Sequence, residues 1–336
     1  MAMVAGRAGV SGQTVSRVVN GSPRVDPATR ARVEKAMAEL GYRPHRAARA
    51  LRTGRTQTIG LVVTTLATVG NSRMLQATAE AAEERGYALL LVTAGDTVSD
   101  AFERLRDQGV DGAIVLNEAS ALTTAEDRPE GLRLVVVDAP AETGLRVVHS
   151  DHAGGAVAAT SRLLSLGHQN VWHLAGPADS FAAAERERGW REALQRNGLT
   201  PNPVVRGDWS AESGYAVAGE LLEATAVFSA NDQMALGVIR GLVENGRGVP
   251  DQVSVIGFDD VPDAANYRPP LTTIRQDFTA LAVAAVDALV ADIEGADIEG
   301  TEIEGAETGD AASAFDGDTQ TIVPTLLIER ASAIRV

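Results

Sequence analysis

The 336-residue chain contains no cysteine, no apolar run approaching the ~18 residues that cross a bilayer, and no leader with a basic segment followed by an apolar one. Without cysteine there are no disulfides, no thiolate metal ligands and no cysteine nucleophile, which fits a reducing cytoplasm. Without the apolar run or the leader, neither a multi-span membrane protein nor an exported one is expected, and no membrane partner. GxSxG, Walker and GxGxxG loops are also missing, so nucleophilic and nucleotide chemistry lack their motifs. What is present is 45% hydrophobic residues, enough for a sizeable core, over a length that suits two or three domains.

The net charge of −15 is unevenly spread. Residues 1–55 hold eleven basic side chains against three acidic ones (Asp26, Glu34 and Glu39), a balance of +8, while the other 281 residues hold 19 basic and 42 acidic ones, a balance of −23. A basic head on an acidic body makes a polyanionic partner plausible for the head alone. A basic tail or targeting arm is the other reading of such charge, and apolar periodicity decides against it.

The head is periodic. Ala5, Ala8 and Val10 lead into a turn at Gly9-Val10-Ser11-Gly12. Val15, Val18 and Val19 mark one face of a second segment that ends at Asn20. A third segment starts at Asp26-Pro27, a cap followed by a residue suited to the first helical position. It carries Val33, Met37 and Leu40 at helical spacing and stops at Gly41. Three short helices on one apolar seam, the first two joined by a tight glycine-containing turn, make a helix-turn-helix pattern. The other face of the second helix shows Gln13, Ser16, Arg17 and Asn20. Gln matches adenine and Arg matches guanine in the major groove, while Ser and Asn suit phosphates or bases. A solvated polar face is the competing reading. Beyond it, His45–Arg52 is basic and too short to be a stable helix alone. It is either a linker or a helix that forms on DNA with a second copy, with Leu51 as a wedge into a minor-groove step.

Ala8-Gly9-Val10-Ser11-x-Gln13-Thr14-Val15-Ser16-Arg17-Val18-Val19-Asn20, followed by Lys35-Ala36-Met37-Ala38-Glu39-Leu40-Gly41-Tyr42-x-Pro44, resembles the head of the LacI/GalR family of bacterial repressors. The resemblance covers almost the whole chain. It implies a homodimer on near-palindromic double-stranded operator DNA, contacted by Gln13, Thr14, Ser16, Arg17 and Asn20 in the head and by His45, Arg46, Ala48 and Leu51 in a hinge helix. It implies no cofactor and no enzyme activity. Against the family pattern the first helix looks truncated, and the chain ends at Ile334-Arg335-Val336 without leucine heptads, so a dimer is the expected assembly.

From residue 56 the pattern alternates strand and helix. Thr58–Val63, Tyr87–Val92, Asp111–Leu116 and Leu132–Val137 read as strands, with helices at Ser72–Arg85 and Ser99–Gln108. After Asp151 come a helix to Leu166, strand Val171–Leu174, helices Phe181–Arg196 and Ala211–Leu222, strand Ala226–Ser229, helix Gln233–Asn245 and strand Val253–Phe258. Alternation of this kind predicts two doubly wound parallel-sheet lobes, periplasmic-binding-protein-like, with a cleft at the strand carboxyl ends. The expected division is a head at 1–43, a hinge at 44–56, an N-terminal lobe at 57–149 and 276–318, and a C-terminal lobe at 150–275 and 319–336. Asp138, Asn231-Asp232 and Asp259-Asp260 stand where strands end, and several carboxylates and amides around a cleft suit a neutral polyol. Asp232 can equally be a helix cap.

The resemblance sharpens this. The segments Arg186-x-x-Gly189-Trp190, Gly207-Asp208-Trp209-Ser210, Ala230-Asn231-Asp232-Gln233 and Pro269–Phe278 are similar to the family's inducer pocket. They imply that Arg186, Asn231 and Asp259 bind sugar hydroxyls, that Trp209 stacks on the ring, and that Asp138, Gln276 and Phe278 complete the wall. The implied inducer is a β-galactoside such as lactose or allolactose, with another sugar as the alternative. The pattern departs at Leu66–Asn71, in place of an apolar loop, and at His149, in place of a phenylalanine. Two other readings stay open: a sugar-binding protein without DNA regulation, and a sugar-processing enzyme using Asp259 and Asp260. Adjacent carboxylates cannot flank a scissile bond from opposite faces, which opposes the enzyme.

The histidines offer no metal-ligand spacing: His149-x-Asp151-His152 and His168-x4-His173 share no helical face. Residues 292–318 hold ten acidic and no basic side chains, with Gly295, Gly300 and Gly305 at intervals of five. Like-charge repulsion and the glycines oppose a helix, so a disordered surface insertion is expected.

Overall fold

Small apolar side chains build the head. Val4, Ala5 and Ala8 of α1 (Ala2–Ala8), Val15 and Val18 of α2 (Gly12–Val19), and Val33 and Ala36 of α3 (Pro27–Glu39) form its buried core. Gly9, at φ 65°, ends α1 in the left-handed region that glycine enters without penalty. Asp26 caps α3 by accepting from the Thr29 amide at 2.9 Å, and Pro27 takes the first helical position. Leu40, expected on the apolar seam, is instead 40% exposed, and Ala36 fills the buried place. The helix ends there, so Leu40 leaves the face that Val33 and Ala36 share.

The computed structural model describes residues 1–19, 21–42, 50, 54–94, 98–116, 131–140, 144–302 and 320–336, with the backbone alone for 296–302. They form two units, 1–57 and 58–336. The second unit contains two six-stranded sheets. In the first the order is β11-β5-β4-β3-β1-β2, from β1 (Thr58–Val63), β2 (Ala88–Thr93), β3 (Gly112–Leu116), β4 (Arg133–Val137), β5 (Arg146–Ser150) and β11 (Gln320–Val323). In the second it is β12-β10-β9-β8-β6-β7, from β6 (Val171–Ala175), β7 (Val205–Arg206), β8 (Ala226–Ser229), β9 (Ser254–Asp259), β10 (Thr272–Arg275) and β12 (Leu326–Ile328). Every ladder is parallel except β10–β12.

Parallel strands are covered on both faces, and the pattern shows it. Ile59, Leu61 and Val63 point to one side, against α4 (Val69–Glu84) and α10 (Phe278–Glu302); Val62 points to the other, against Phe102 and Leu105 of α5 (Val98–Asp107). In the second lobe, α6 (His152–Ser165) and α7 (Phe181–Arg196) cover one face with Leu163, Trp190 and Leu194, and α8 (Ala211–Ala216) and α9 (Asp232–Glu244) cover the other, where Met234, Val238 and Leu242 are buried. The helix read as Ala211–Leu222 ends at Ala216 and continues as a 3-10 turn at Ala218–Leu221.

The chain passes between lobes at 150–151, 276–277 and 324–325. These strands are tied together: the Asp151 amide donates to Val323 O at 2.8 Å and Thr325 Oγ1 to Asp151 O at 3.2 Å. Because β11 pairs with β5, residues 320–323 belong to the first lobe, and the last crossing follows Val323 instead of residue 318. The acidic stretch also departs from expectation over its first part. α10 runs through residues 292–302. Leu289, Val290 and Ile293 are buried against the sheet, and Asp292 pairs with Arg146 at 2.9 Å, so packing carries the helix into the acidic run. Residues 303–319 lie outside the described residues.

Gly237 allows α9 to touch α8: a Cβ there would stand 1.8 Å from Ala211 O. Gly237→Ala is expected to cost about 1–3 kcal/mol through overpacking, and a denaturant midpoint equal to that of the parent would contradict this contact.

Candidate functional site

All seven side chains expected in the sugar pocket line one cleft between the lobes: Asp138, Arg186, Trp209, Asn231, Asp259, Gln276 and Phe278. The topology explains their convergence. Asp138 follows β4, Asn231 follows β8, Asp259 ends β9 and Gln276 follows β10, so each comes off a strand carboxyl end. Trp209 stands in the loop between β7 and α8, Arg186 on α7 and Phe278 at the start of α10.

Arg186 is the buried cation of the cleft, 4% exposed. Its Nη1 donates to Ala230 O and lies 3.6 Å from Asp259 Oδ1. Its Nε and Nη2 both approach His152 Nδ1 at 3.3 Å. The guanidinium stacks 3.9 Å from the centroid of Phe258 and 5.5 Å from that of Trp209. These contacts leave part of its donor set for a ligand.

The carboxylates differ. Burial pushes Asp259 up from 3.8 to about 6, against the opposing pull of Arg186 and the 2.7 Å hydrogen bond from Gln276 Nε2. Asp138 is driven up by burial but is held below its ordinary value by His152, whose Nε2 lies 2.8 Å from Oδ1, and by Arg186. Asp232, weighed as a helix cap, is not one. Asn231 caps α9, accepting from the Met234 amide at 2.9 Å. Asp232 sits one residue further on, fully buried, and accepts from the Val261 amide at 2.8 Å and the Thr273 hydroxyl at 2.5 Å. Burial, then the neighbouring Asp259, raise its carboxyl well above the usual range. Asn231 Nδ2 donates to Trp209 O at 3.0 Å, so this side chain also holds the tryptophan loop.

Backbone strain gathers at the same place. Among the described residues the non-glycine positive-φ positions are Gln57, Asp138 (58°), Trp209 (76°), Asp259 (111°) and Asp260 (52°), four of them at the cleft or beside it. The Trp209 ring packs against Gly176, where a Cβ would come within 2.3 Å of it.

Thr68 and Asn71, of the loop where the family pattern departs, line the cleft, and Thr68 caps α4. Met74 and Ser180, the cap of α7, line it as well and were not expected there. A Thr or Ser before a helical run was the available signal. His152, read only as a weak metal candidate, is the partner of both Arg186 and Asp138. His149 is absent from the cleft lining and instead meets the Phe181 ring edge-on, centroids 5.6 Å apart. Among the described residues no three His, Asp or Glu side chains group as metal ligands.

On the head, Gln13 and Arg17 are exposed on α2, and Thr14 and Ser16 are half-buried. Ser11 accepts from the Thr14 amide at 3.1 Å and shares a 3.0 Å hydroxyl contact with Thr14. Asn20, His45, Arg46, Ala48 and Leu51 lie outside the described residues.

A helix-turn-helix head on the same chain as a two-lobed body with a polar, tryptophan-walled cleft defines a ligand-responsive DNA-binding regulator. Residues 1–45 match the family model described as bacterial regulatory proteins, lacI family, and residues 160–308 match the periplasmic binding protein-like domain. The lactose operon repressor of Escherichia coli (strain K12) is 35% identical over 337 residues, covering 97% of this chain and 93% of its own. The crystal structure of the lac repressor dimer bound to operator and the anti-inducer ONPF is similar, with a TM-score of 0.81 at 33% identity and 98% of each chain covered. A transcriptional regulator CelR–cellobiose complex follows with a TM-score of 0.69 at 33% identity, again covering 98% of each chain. The chain belongs to the LacI family of DNA-binding transcriptional repressors, which are regulated by sugar ligands and are not enzymes. No helix among the described residues is long and apolar enough to cross a membrane.

Two outcomes follow from the cleft. Gly176→Ala is expected to displace the Trp209 ring and change its fluorescence; an unaltered emission spectrum contradicts the close contact. Asp259 binds its proton more tightly folded than unfolded, so its stabilising contribution is full below pH 3.8 and is lost as pH rises through about 6. Asp259→Asn removes this pH dependence, so its stability relative to the parent should rise by on the order of 2 kcal/mol from pH 4 to pH 8, whatever offset the loss of Arg186's countercharge adds at both. The same difference at both pH values would show that the ionised buried form carries no penalty.

Proposed function

We propose that the protein represses transcription by holding a near-palindromic operator through α2 of each subunit of a homodimer, and that a β-galactoside in the cleft releases it. It acts in the cytoplasm, where its DNA is. The observation that carries the reading is the convergence, from both lobes, of Arg186, Asp259 and Asp138 on the cleft walled by the Trp209 ring. A sugar offers hydroxyls to the charged groups and an apolar ring face to the indole. Arg186, Asn231 and Asp259 bind hydroxyls, and Asp138, Gln276 and Phe278 close the wall. Similarity to the CelR–cellobiose complex favours a second reading, a β-glucoside in the same place.

Gln13, Thr14, Ser16, Arg17 and Asn20 meet the operator, and a dimer sets two α2 helices in successive major grooves ~34–36 Å apart. His45, Arg46, Ala48 and Leu51 form the hinge that docks at the operator centre. The sugar acts by binding more tightly to the lobe arrangement that holds DNA weakly; differential affinity is the only means by which a ligand shifts such an equilibrium.

A thermal-shift panel of galactosides, cellobiose and ribose tests the ligand. The largest rise is expected with a β-galactoside, and a larger rise with cellobiose selects the second reading. Arg17→Ala is expected to weaken operator binding by about 1–3 kcal/mol and to relax base preference at one position of each half-site. Equal loss on operator and on random duplex in a gel-shift titration rules out base reading by Arg17.

A further inference from the structure

His152 stands at the junction of the two lobes, fully buried. It opens α6, directly after the chain leaves β5 of the first lobe. Its Nε2 lies 2.8 Å from Oδ1 of Asp138, which belongs to the first lobe, and its Nδ1 lies 3.3 Å from Nε and from Nη2 of Arg186, which belongs to the second. A guanidinium has only donors. Nδ1 is therefore the acceptor, the ring's proton is on Nε2, and that proton is donated to Asp138. The imidazole is neutral and of one tautomer because its two neighbours demand opposite roles of its two nitrogens.

The charged and titratable groups facing the ring are Asp138 after β4, Arg186 on α7 and His149 on β5, the last with ring centroids 6.5 Å apart; Phe181 and Phe258 fill the remaining sides at 6.3 and 6.0 Å. A second proton on Nδ1 would point at Arg186 and lose its acceptor. Burial likewise pushes the imidazole below its ordinary value, against the pull of Asp138. Two further polar contacts cross between the lobes: the Val69 amide donates to Gln233 Oε1 at 3.2 Å, and Arg73 Nη1 to Asp260 O at 3.3 Å. Val69 and Arg73 are half-buried, whereas the His152 ring is fully buried.

We infer that His152 is a positioning residue for the ligand: a neutral Nε2–H imidazole that bridges the lobes, aims the Arg186 guanidinium and orients the Asp138 carboxylate, so that both present fixed groups to one sugar. With Oδ1 taken by His152, Asp138 keeps one oxygen as an acceptor for a hydroxyl. With Nε and Nη2 held, the Arg186 plane cannot rotate away from the cleft. The inference rests on the reading of the cleft as a sugar site.

The test uses the full chain and the variants His152→Gln and His152→Phe. Gln keeps an amide donor for Asp138 and a carbonyl acceptor for Arg186; Phe keeps the ring packing and removes both hydrogen bonds. With methyl β-galactoside and cellobiose as probes in calorimetry, His152→Phe is expected to lose about tenfold to hundredfold in affinity, and His152→Gln to stay within about threefold of the parent. A packing role predicts the reverse order, so parent-like binding by His152→Phe with loss in His152→Gln overturns the inference. If His152→Phe does not fold, long-range nitrogen-15 spectra of the parent decide. A neutral Nε2–H ring at pH 7 supports the bridge, and a protonated or Nδ1–H ring overturns it. That spectrum needs no sugar, so failure of both probes to bind the parent sinks the ligand reading separately.

Discussion

The guanidinium of Arg186 is a full charge on the wall of a cleft with almost no water contact, and most of the site is arranged around that fact. An isolated buried cation is costly, and removing one partner of such a group leaves the other uncompensated. Here the compensation is divided. Ala230 O takes one proton, His152 accepts two N–H groups, Asp259 supplies countercharge at 3.6 Å, and Phe258 lies under the plane. Each partner is itself held: Gln276 donates to Asp259, and Asp138 accepts from His152. The chain of contacts runs from the first lobe through His152 to the second, so the buried charge of the cleft also ties the two lobes together.

The cleft is maintained at a cost to stability. Asp138, Trp209, Asp259 and Asp260 all sit in the left-handed backbone region, and Asp259 and Asp232 are carboxylates kept where ionisation is unfavourable. Two sheets covered on both faces supply the compensating burial, with Trp190, Phe228, Phe258, Leu61 and Ile114 essentially inaccessible. The strained residues stand at strand carboxyl ends or in the loops that follow them, where the sheets hold them in place.

Charge separates the two jobs of the chain. A net −15 describes neither part: the first 55 residues carry +8 and can meet phosphates, and the rest carries −23. Much of the body's charge is neutralised locally, as in the Glu187 pairs with Arg191 and Arg206 and the Asp260 pairs with Arg275 and Arg330. The acidic run after residue 292 begins in the same manner, with Asp292 beside Arg146.

The sequence by itself determined the class of fold, because period and punctuation are local properties. Valines at helical spacing, Asp26-Pro27 and Gly9 specify the head, and apolar runs alternating with capped helices specify two parallel sheets. It also identified the groups at strand ends, since a strand's carboxyl end is readable from where its apolar run stops. Residue roles that depend on neighbours distant in the chain were decided only in three dimensions. Asp232 is a cap or a core anchor depending on Thr273 and Val261, which stand 41 and 29 residues away. His152 is a surface histidine or a bridge depending on Arg186 and Asp138. The lobe that β11 joins depends on pairing with β5, and the acidic run starts as a helix because Ile293 finds a core to pack on. Hydrogen bonding and burial between remote segments have no sequence period, so only the folded chain could assign them.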